Sequence, residues 1–246
     1  MSQLYDEIGV GYRDFRRPDP RLDAAIARAL HEAETIVNVG AGAGSYEPSD
    51  RAVVAVEPAM TMIRQRRPGG APVVQASATE LPFRDDAFAA ALAILTVHHW
   101  PDQARGLDEM ARVARRRVVV VTWDPSTSGF WLTDDYFPEI FEIDRPLFPS
   151  IEAFRLAWGH VEVHPFSIPH DCVDGFLGAY WRRPHAYLDA GVRGAISTFA
   201  KLREVEPRLD RLRRDLADGT WTRRHGHLLS RSEIDLGYRI VIAPKS

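Results

Sequence analysis

Among its 246 residues the chain has one cysteine, Cys172. A single thiol excludes an internal disulfide and cannot by itself build a zinc site. Charge of one sign is not in excess: 31 Lys and Arg stand against 34 Asp and Glu. The net charge of −3 offers no general attraction to phosphate backbones, so a nucleic-acid partner is not expected. The longest mostly apolar run, "AFAAALAILTV", is well short of the roughly 20 residues that a membrane helix needs. The opening "MSQLYDEIGVGYRDFRR" lacks the apolar core of a signal peptide. No internal repeat and no low-complexity linker interrupts the chain. The expectation is a reduced, cytoplasmic protein with no membrane partner, monomeric or homodimeric.

Hydrophobic residues make up 45% of the chain, enough for a core of ordinary size. After a polar arm, residues 21–33 place Leu22, Ile26, Ala29 and Leu30 on one helical face. Short apolar runs follow: "TIVNVG", "AVVAVEP", "PVVQAS", "FAAALAIL" and "RRVVVVTW". Between the last two, Leu107, Met110, Ala111 and Ala114 have helical spacing. Runs apolar on both faces, alternating with helices, predict parallel strands covered on both sides. After Asp124 the texture changes to aromatics and prolines. "SIEAFRLAWG" predicts a helix with a glycine stop, "VEVHPFSI" a sixth strand, and "LGYRIVIAP" a closing strand. Residues 170–230 read as largely helical, with Leu202, Val205, Leu209, Leu212 and Leu216 as an apolar stripe.

The first strand runs into "GAGAG". A strand, a bare turn and a helix form the general nucleotide-binding arrangement, with helix N–H groups open to a ligand. The G-x-G-x-G spacing departs from the dinucleotide fingerprint G-x-G-x-x-G, since residue 45 is Ser. A ligand-free tight turn is the less favoured reading of so short a match. The second strand adds Glu57, seventeen positions after Gly40, at the distance of an adenosine spanning two adjacent strand ends. Its carboxylate suits both ribose hydroxyls.

The ordered run "VNVGAGAG…VVAVEPAMTMI…ASATELPFRDDAF…LTVHHWPD…EMARVARR" resembles the class I S-adenosylmethionine-dependent methyltransferases of the small-molecule type over about residues 34–124. The resemblance implies an α/β, Rossmann-like sheet of seven strands, mostly parallel, with helices on both faces and an antiparallel last strand. It implies one methyltransferase domain over residues 1–246. Its parts are an arm and helix (1–33), a cofactor core (34–124), two helical and aromatic substrate-cap segments (125–169 and 170–230) inserted before the last strand, and that strand (231–246). The implied cofactor is S-adenosylmethionine, with S-adenosylhomocysteine as product. Gly40, Ala41 and Gly42 would pass beneath its methionine and ribose parts, and Glu57 would hold the ribose. Pro58 and Met62 would pack on adenine, Ser77 and Ala78 would meet its edge, and the segment from Leu95 and Thr96 to His98 would line the sulfonium. Tyr5 and Tyr12 of the arm would fold over the cofactor. Three positions depart from the family: Asn38 and Ser77 replace carboxylates, and "ARRR" replaces a Pro-Gly-Gly turn before the fifth strand.

Methyl transfer needs acceptor and methyl held in line, and a base where the acceptor must lose a proton. His98 and His99 after strand four and Asp124 after strand five are the candidates, with His98 favoured because adjacent side chains rarely face one site. His99 is then free to cap a turn with Asp102. A metal held by His98, His99 and His170 is the less favoured use of these residues, and none is expected. The partner is a small-molecule methyl acceptor, methylated at oxygen or nitrogen. The aromatic cap, with His170, Asp171, Tyr180, Trp181 and Arg182, either recognises it or forms the cap's own core. "RRHGH" at 223–227 reads as surface. The competing functions are cofactor binding without transfer, an NAD-type oxidoreductase, and an RNA or protein methyltransferase.

Overall fold

The computed structural model describes residues 15–245. Helix α1 (Pro20–Leu30) starts with the Asp19 carboxylate accepting from Arg21 N, and buries Leu22, Ile26, Ala29 and Leu30. Strands β1 (Thr35–Val39), β2 (Ala52–Val56), β3 (Val73–Val74), β4 (Phe88–Ile94) and β5 (Ala114–Trp123) are parallel to one another, with the short helix α2 (Met60–Ile63) between β2 and β3. Helix α3 (Gln103–Val113) connects β4 to β5. Next come α4 (Glu139–Asp144), α5 (Ile151–Trp158) and strand β6 (Glu162–Pro165). A ribbon of β7 (Ile168–Pro169) and β8 (Glu233–Ile234) brackets the helices α6 (Ala190–Gly194), α7 (Val205–Ala217) and α8 (Thr220–His225). Strand β9 (Tyr238–Pro244) closes the fold, antiparallel between β5 and β6. The sheet order is β3-β2-β1-β4-β5-β9-β6.

Alternation along the strands divides the interior between the two faces. Ile36, Ala90, Leu92, Val119 and Val121 pack on one side, with α1 and the cap aromatics Trp131, Trp181, Tyr187 and Trp221. Val37, Ala91, Ala93, Val118 and Val120 pack on the other, with Leu107 and Met110 of α3 and Phe154 of α5. The cap thus continues the core of one sheet face. Although both lie within 125–169, α5, N-capped by Ser150 and stopped at Gly159 with φ 75, packs Phe154 into the core on the α3 face, and β6 is the sheet's edge strand beside β9.

Three details differ from the pattern expected. No helix follows the glycine turn, because residues 42–46 form turns and Pro48 follows before β2. Ala114 opens β5 instead of closing α3. The Lys245 ammonium donates to the carbonyls of Ala111 and Ala114, capping the helix end where the family has a glycine turn. The stretch from 170 to 202 is mostly single helical turns; the apolar stripe is helical from Val205, where Leu209 and Leu212 are buried. Among the described residues no helix is long and apolar enough to cross a membrane.

Candidate active site

The glycine turn owes its composition to backbone shape. Gly40, Gly42 and Gly44 have φ of 70, 53 and 86°, a region costly for any residue with a Cβ. At Gly40 a Cβ would also stand 2.2 Å from the Thr96 hydroxyl oxygen, on the segment that follows β4. The turn is tied to β2: the amides of Gly40 and Ala41 donate to Val56 O at 2.9 and 3.0 Å. Glu57 completes the tie. Its carboxylate accepts from Gly42 N at 2.8 Å and from Ala59 N at 2.9 Å. Burial raises its pKa, and the two amides and Arg66 oppose the rise.

Beneath the turn, the missing acid at Asn38 is replaced from elsewhere. Arg66 binds both Glu47 oxygens at 2.7 and 2.6 Å, and Asn38 Nδ2 donates to Glu47 at 3.3 Å. A carboxylate at 38 would face Glu47; the amide donates to it instead. Tyr46 fixes the outer side of the turn, donating to Asp174 at 2.9 Å and accepting from Asp19 N.

Gly40, Ala41, Gly42, Glu57, Pro58, Met62, Ser77, Ala78, Leu95 and Thr96 all line one cavity of about 310 Å³. The Ser77 hydroxyl is engaged with Thr79, 2.8 Å away. Tyr5 and Tyr12 lie outside the described residues. A second cavity of about 90 Å³ adjoins the first, and Arg16, Leu95 and His99 line both. Leu95 has φ 48, a strained conformation for a branched residue, at this junction.

Both histidines reach the second cavity, whereas the sequence favoured His98 alone. Their rings lie 3.8 Å apart, and His98 stacks on Phe148 at 3.9 Å. Both histidines are carried by the short turn Val97–His99. The carboxylate of Asp102 serves α3, accepting from Arg105 N. Burial holds His98 well below its usual pKa, helped by His99, Lys201 and Arg16. Burial, Lys201 and Arg16 lower His99 to about 4. Both imidazoles are neutral at neutral pH.

Asp124 does not join them. Trp123 at the end of β5 turns into the cavity, and the Asp124 carboxylate folds back on Ser126 at 3.0 and 2.7 Å. His170 is on the β7–β8 ribbon, its amide on Ser232 O, and among the described residues no three metal-ligating side chains cluster. Asp171 pairs with Arg21 at the surface, and Arg182 donates to Arg231 O. Trp181 is fully buried, its indole donating to Ile168 O, so the larger cap aromatics are the cap's own core. Of "RRHGH", Arg224 and His225 hold Asp135.

Nothing in the sequence pattern marks Arg16, Trp100, Asp144 or Thr198. Arg16 pairs with Asp174 at 2.6 Å, and Trp100 walls the larger cavity. Asp144 and Thr198 line the smaller one, with Thr198 Oγ1 2.9 and 2.8 Å from the carboxylate oxygens.

The family described as "Methyltransferase domain" matches residues 37–122. A "Putative methyltransferase from antibiotic biosynthesis pathway" of Anabaena variabilis is 33% identical, with a TM-score of 0.87 over 94% of this chain and 99% of that one. A SAM-dependent methyltransferase of Thermotoga maritima shares the fold at 16% identity and a TM-score of 0.58, with 100% of both chains covered. So does the YcgJ protein of Bacillus subtilis, at 15% identity and 0.55, over 92% of this chain and 98% of that one.

Proposed function

The chain belongs to the class I S-adenosylmethionine-dependent methyltransferases, and from that premise we propose that it methylates an oxygen of a small organic acceptor with histidine assistance. Membership sets aside the NAD-type reading. One observation carries the proposal: the two cavities meet at Leu95, His99 and Arg16, and the smaller is walled by Trp123, Phe141 and Phe148. A pocket so lined suits a small organic molecule. The named relative from an antibiotic biosynthesis pathway agrees with a small-molecule acceptor.

The residues around the larger cavity fit the cofactor. Glu57 spends one lone pair of each oxygen on an amide, leaving the others for a ribose diol. Pro58, Met62 and Ala78 supply an apolar seat for a base. When bound, S-adenosylmethionine supplies an electrophilic methyl group on a cationic sulfur. The neutral histidines matter because each ring can accept one proton. As an acceptor hydroxyl attacks, its oxygen becomes oxonium-like and its proton far more acidic than an imidazolium. A weak base such as His99 suffices for that transfer. The O–H electrons stay on oxygen and the imidazole becomes the cation. A neutral amine would need no base during transfer, so a base placed at this junction is of use chiefly to an oxygen acceptor.

Crystals of the full chain with S-adenosylhomocysteine test this reading. The sulfur is expected at the Leu95–His99 junction, facing Phe148. A sulfur facing open surface instead would overturn the small-acceptor reading.

A further inference from the structure

Asp144 stands in the wall of the smaller cavity with only 7% of its surface exposed. It projects from the end of α4 towards the segment that carries Thr198. The hydroxyl of Thr198 has one proton, and a carboxylate has about four lone-pair sites. Thr198 therefore satisfies at most one of them. Lys201 acts on the group only through space, and among the described residues Asp144 forms no ion pair. A buried charge so sparsely covered is costly unless an occupant supplies donors. Trp123, Phe141, Phe148 and Tyr238 line the same cavity with their rings.

We propose that the acceptor carries a basic nitrogen and that Asp144 is the residue that selects it. This rests on the smaller cavity being the acceptor pocket. The protonated nitrogen donates to the open lone pairs of Asp144, and the rings favour its charge by cation–π attraction. Burial, which lifts Asp144 to about 6, is the strain that such a cation relieves. The nitrogen is an anchor and not the methylated atom, since a fully protonated nitrogen has no lone pair for attack. Oxygen acceptance and nitrogen anchoring are then properties of one molecule.

Three probes of one skeleton separate charge from shape: phenethylamine, 2-phenylethanol and phenylacetate. Each is titrated calorimetrically into the full chain saturated with S-adenosylhomocysteine. The amine is expected to bind about 10- to 100-fold tighter than the alcohol, with the carboxylate weakest. Asp144→Asn, nearly the same size, should bring amine and alcohol within about threefold while leaving S-adenosylhomocysteine affinity unchanged. Thr198→Val should keep the amine preference. An amine no tighter than the alcohol, a tightest-binding phenylacetate, or an undiminished preference in Asp144→Asn overturns the proposal and leaves the pocket reading standing. If the cofactor product binds but none of the three probes does, the acceptor-pocket reading itself fails, and this proposal with it.

Discussion

Glu57 does two things with one carboxylate. It clamps the glycine turn to the segment after β2, and it presents what remains of its oxygens to the cavity. Glu57→Ala orphans the buried Ala59 amide and the partly buried Gly42 amide, at about 1–3 kcal/mol for the first and less for the second, so a stability loss of roughly 2–4 kcal/mol is expected in urea melts. Calorimetry should show S-adenosylhomocysteine binding weakened at least about tenfold, on charge-assisted bonds of roughly 1.5–3 kcal/mol. Glu57→Gln should fall between, because its amide nitrogen must face one of the two N–H donors. Unchanged melting together with unchanged affinity would mean the clamp is not formed. Glu57 was legible because its distance from the glycines carries meaning. Asp144 was not: an Asp near a helix end in "EIFEID" reads as solvated, and only the long-range contact with Thr198, 54 residues on, buries it. Asp124 misled because a carboxylate at a strand end looks poised, yet Ser126 two residues later captures it.

Elements were legible where burial on both faces enforces a pattern. Val118 to Val121 are at most 1% exposed, and such a run permits little but a central strand. The missing helix after the glycine turn was hidden because the family arrangement includes one. The cap was least legible, since its single turns follow side-chain packing and carry no periodicity. Gly106 on α3 shows how an element serves the site at one remove. A Cβ there would stand 2.4 Å from the Trp100 ring, which walls the larger cavity. Glycine costs the helix up to about 1 kcal/mol relative to alanine. Overpacking costs about 1–3 kcal/mol, so Gly106→Ala is expected to lower stability by about 1 kcal/mol net and to weaken S-adenosylhomocysteine binding. Adding Trp100→Phe removes the ring atoms that clash and should recover the helix gain in urea melts. Stabilisation by Gly106→Ala alone would show that the ring moves freely.

At the scale of the whole molecule, the smaller cavity sets opposing titrations against each other. His99 has a folded pKa of about 4 against an ordinary 6.5, so at pH 5 the unfolded chain binds a proton there that the native state refuses. Its contribution is lost as pH falls from about 6.5 towards 4, and between pH 7 and 5 that loss is about 2 kcal/mol. His98 acts in the same direction, because its pKa is also depressed by burial. Asp144 acts oppositely. With a folded pKa of about 6 against 3.8, the native state holds the extra proton at pH 5, which favours folding there by about 1 kcal/mol over pH 7. Glu57, also raised by burial, adds to the Asp144 side. The net slope of the wild type is therefore the sum of opposing contributions, and the variants separate them. Urea melts at pH 5 and pH 7 should show His99→Asn gaining about 2 kcal/mol at pH 5 relative to pH 7, compared with the wild type. Asp144→Asn should shift the same comparison by about 1 kcal/mol the other way. Neither shift appearing would mean that water fills the cavity freely and that both groups titrate as they do in the unfolded chain. The histidines would then be partly charged near neutral pH, beside a cofactor that is itself a cation.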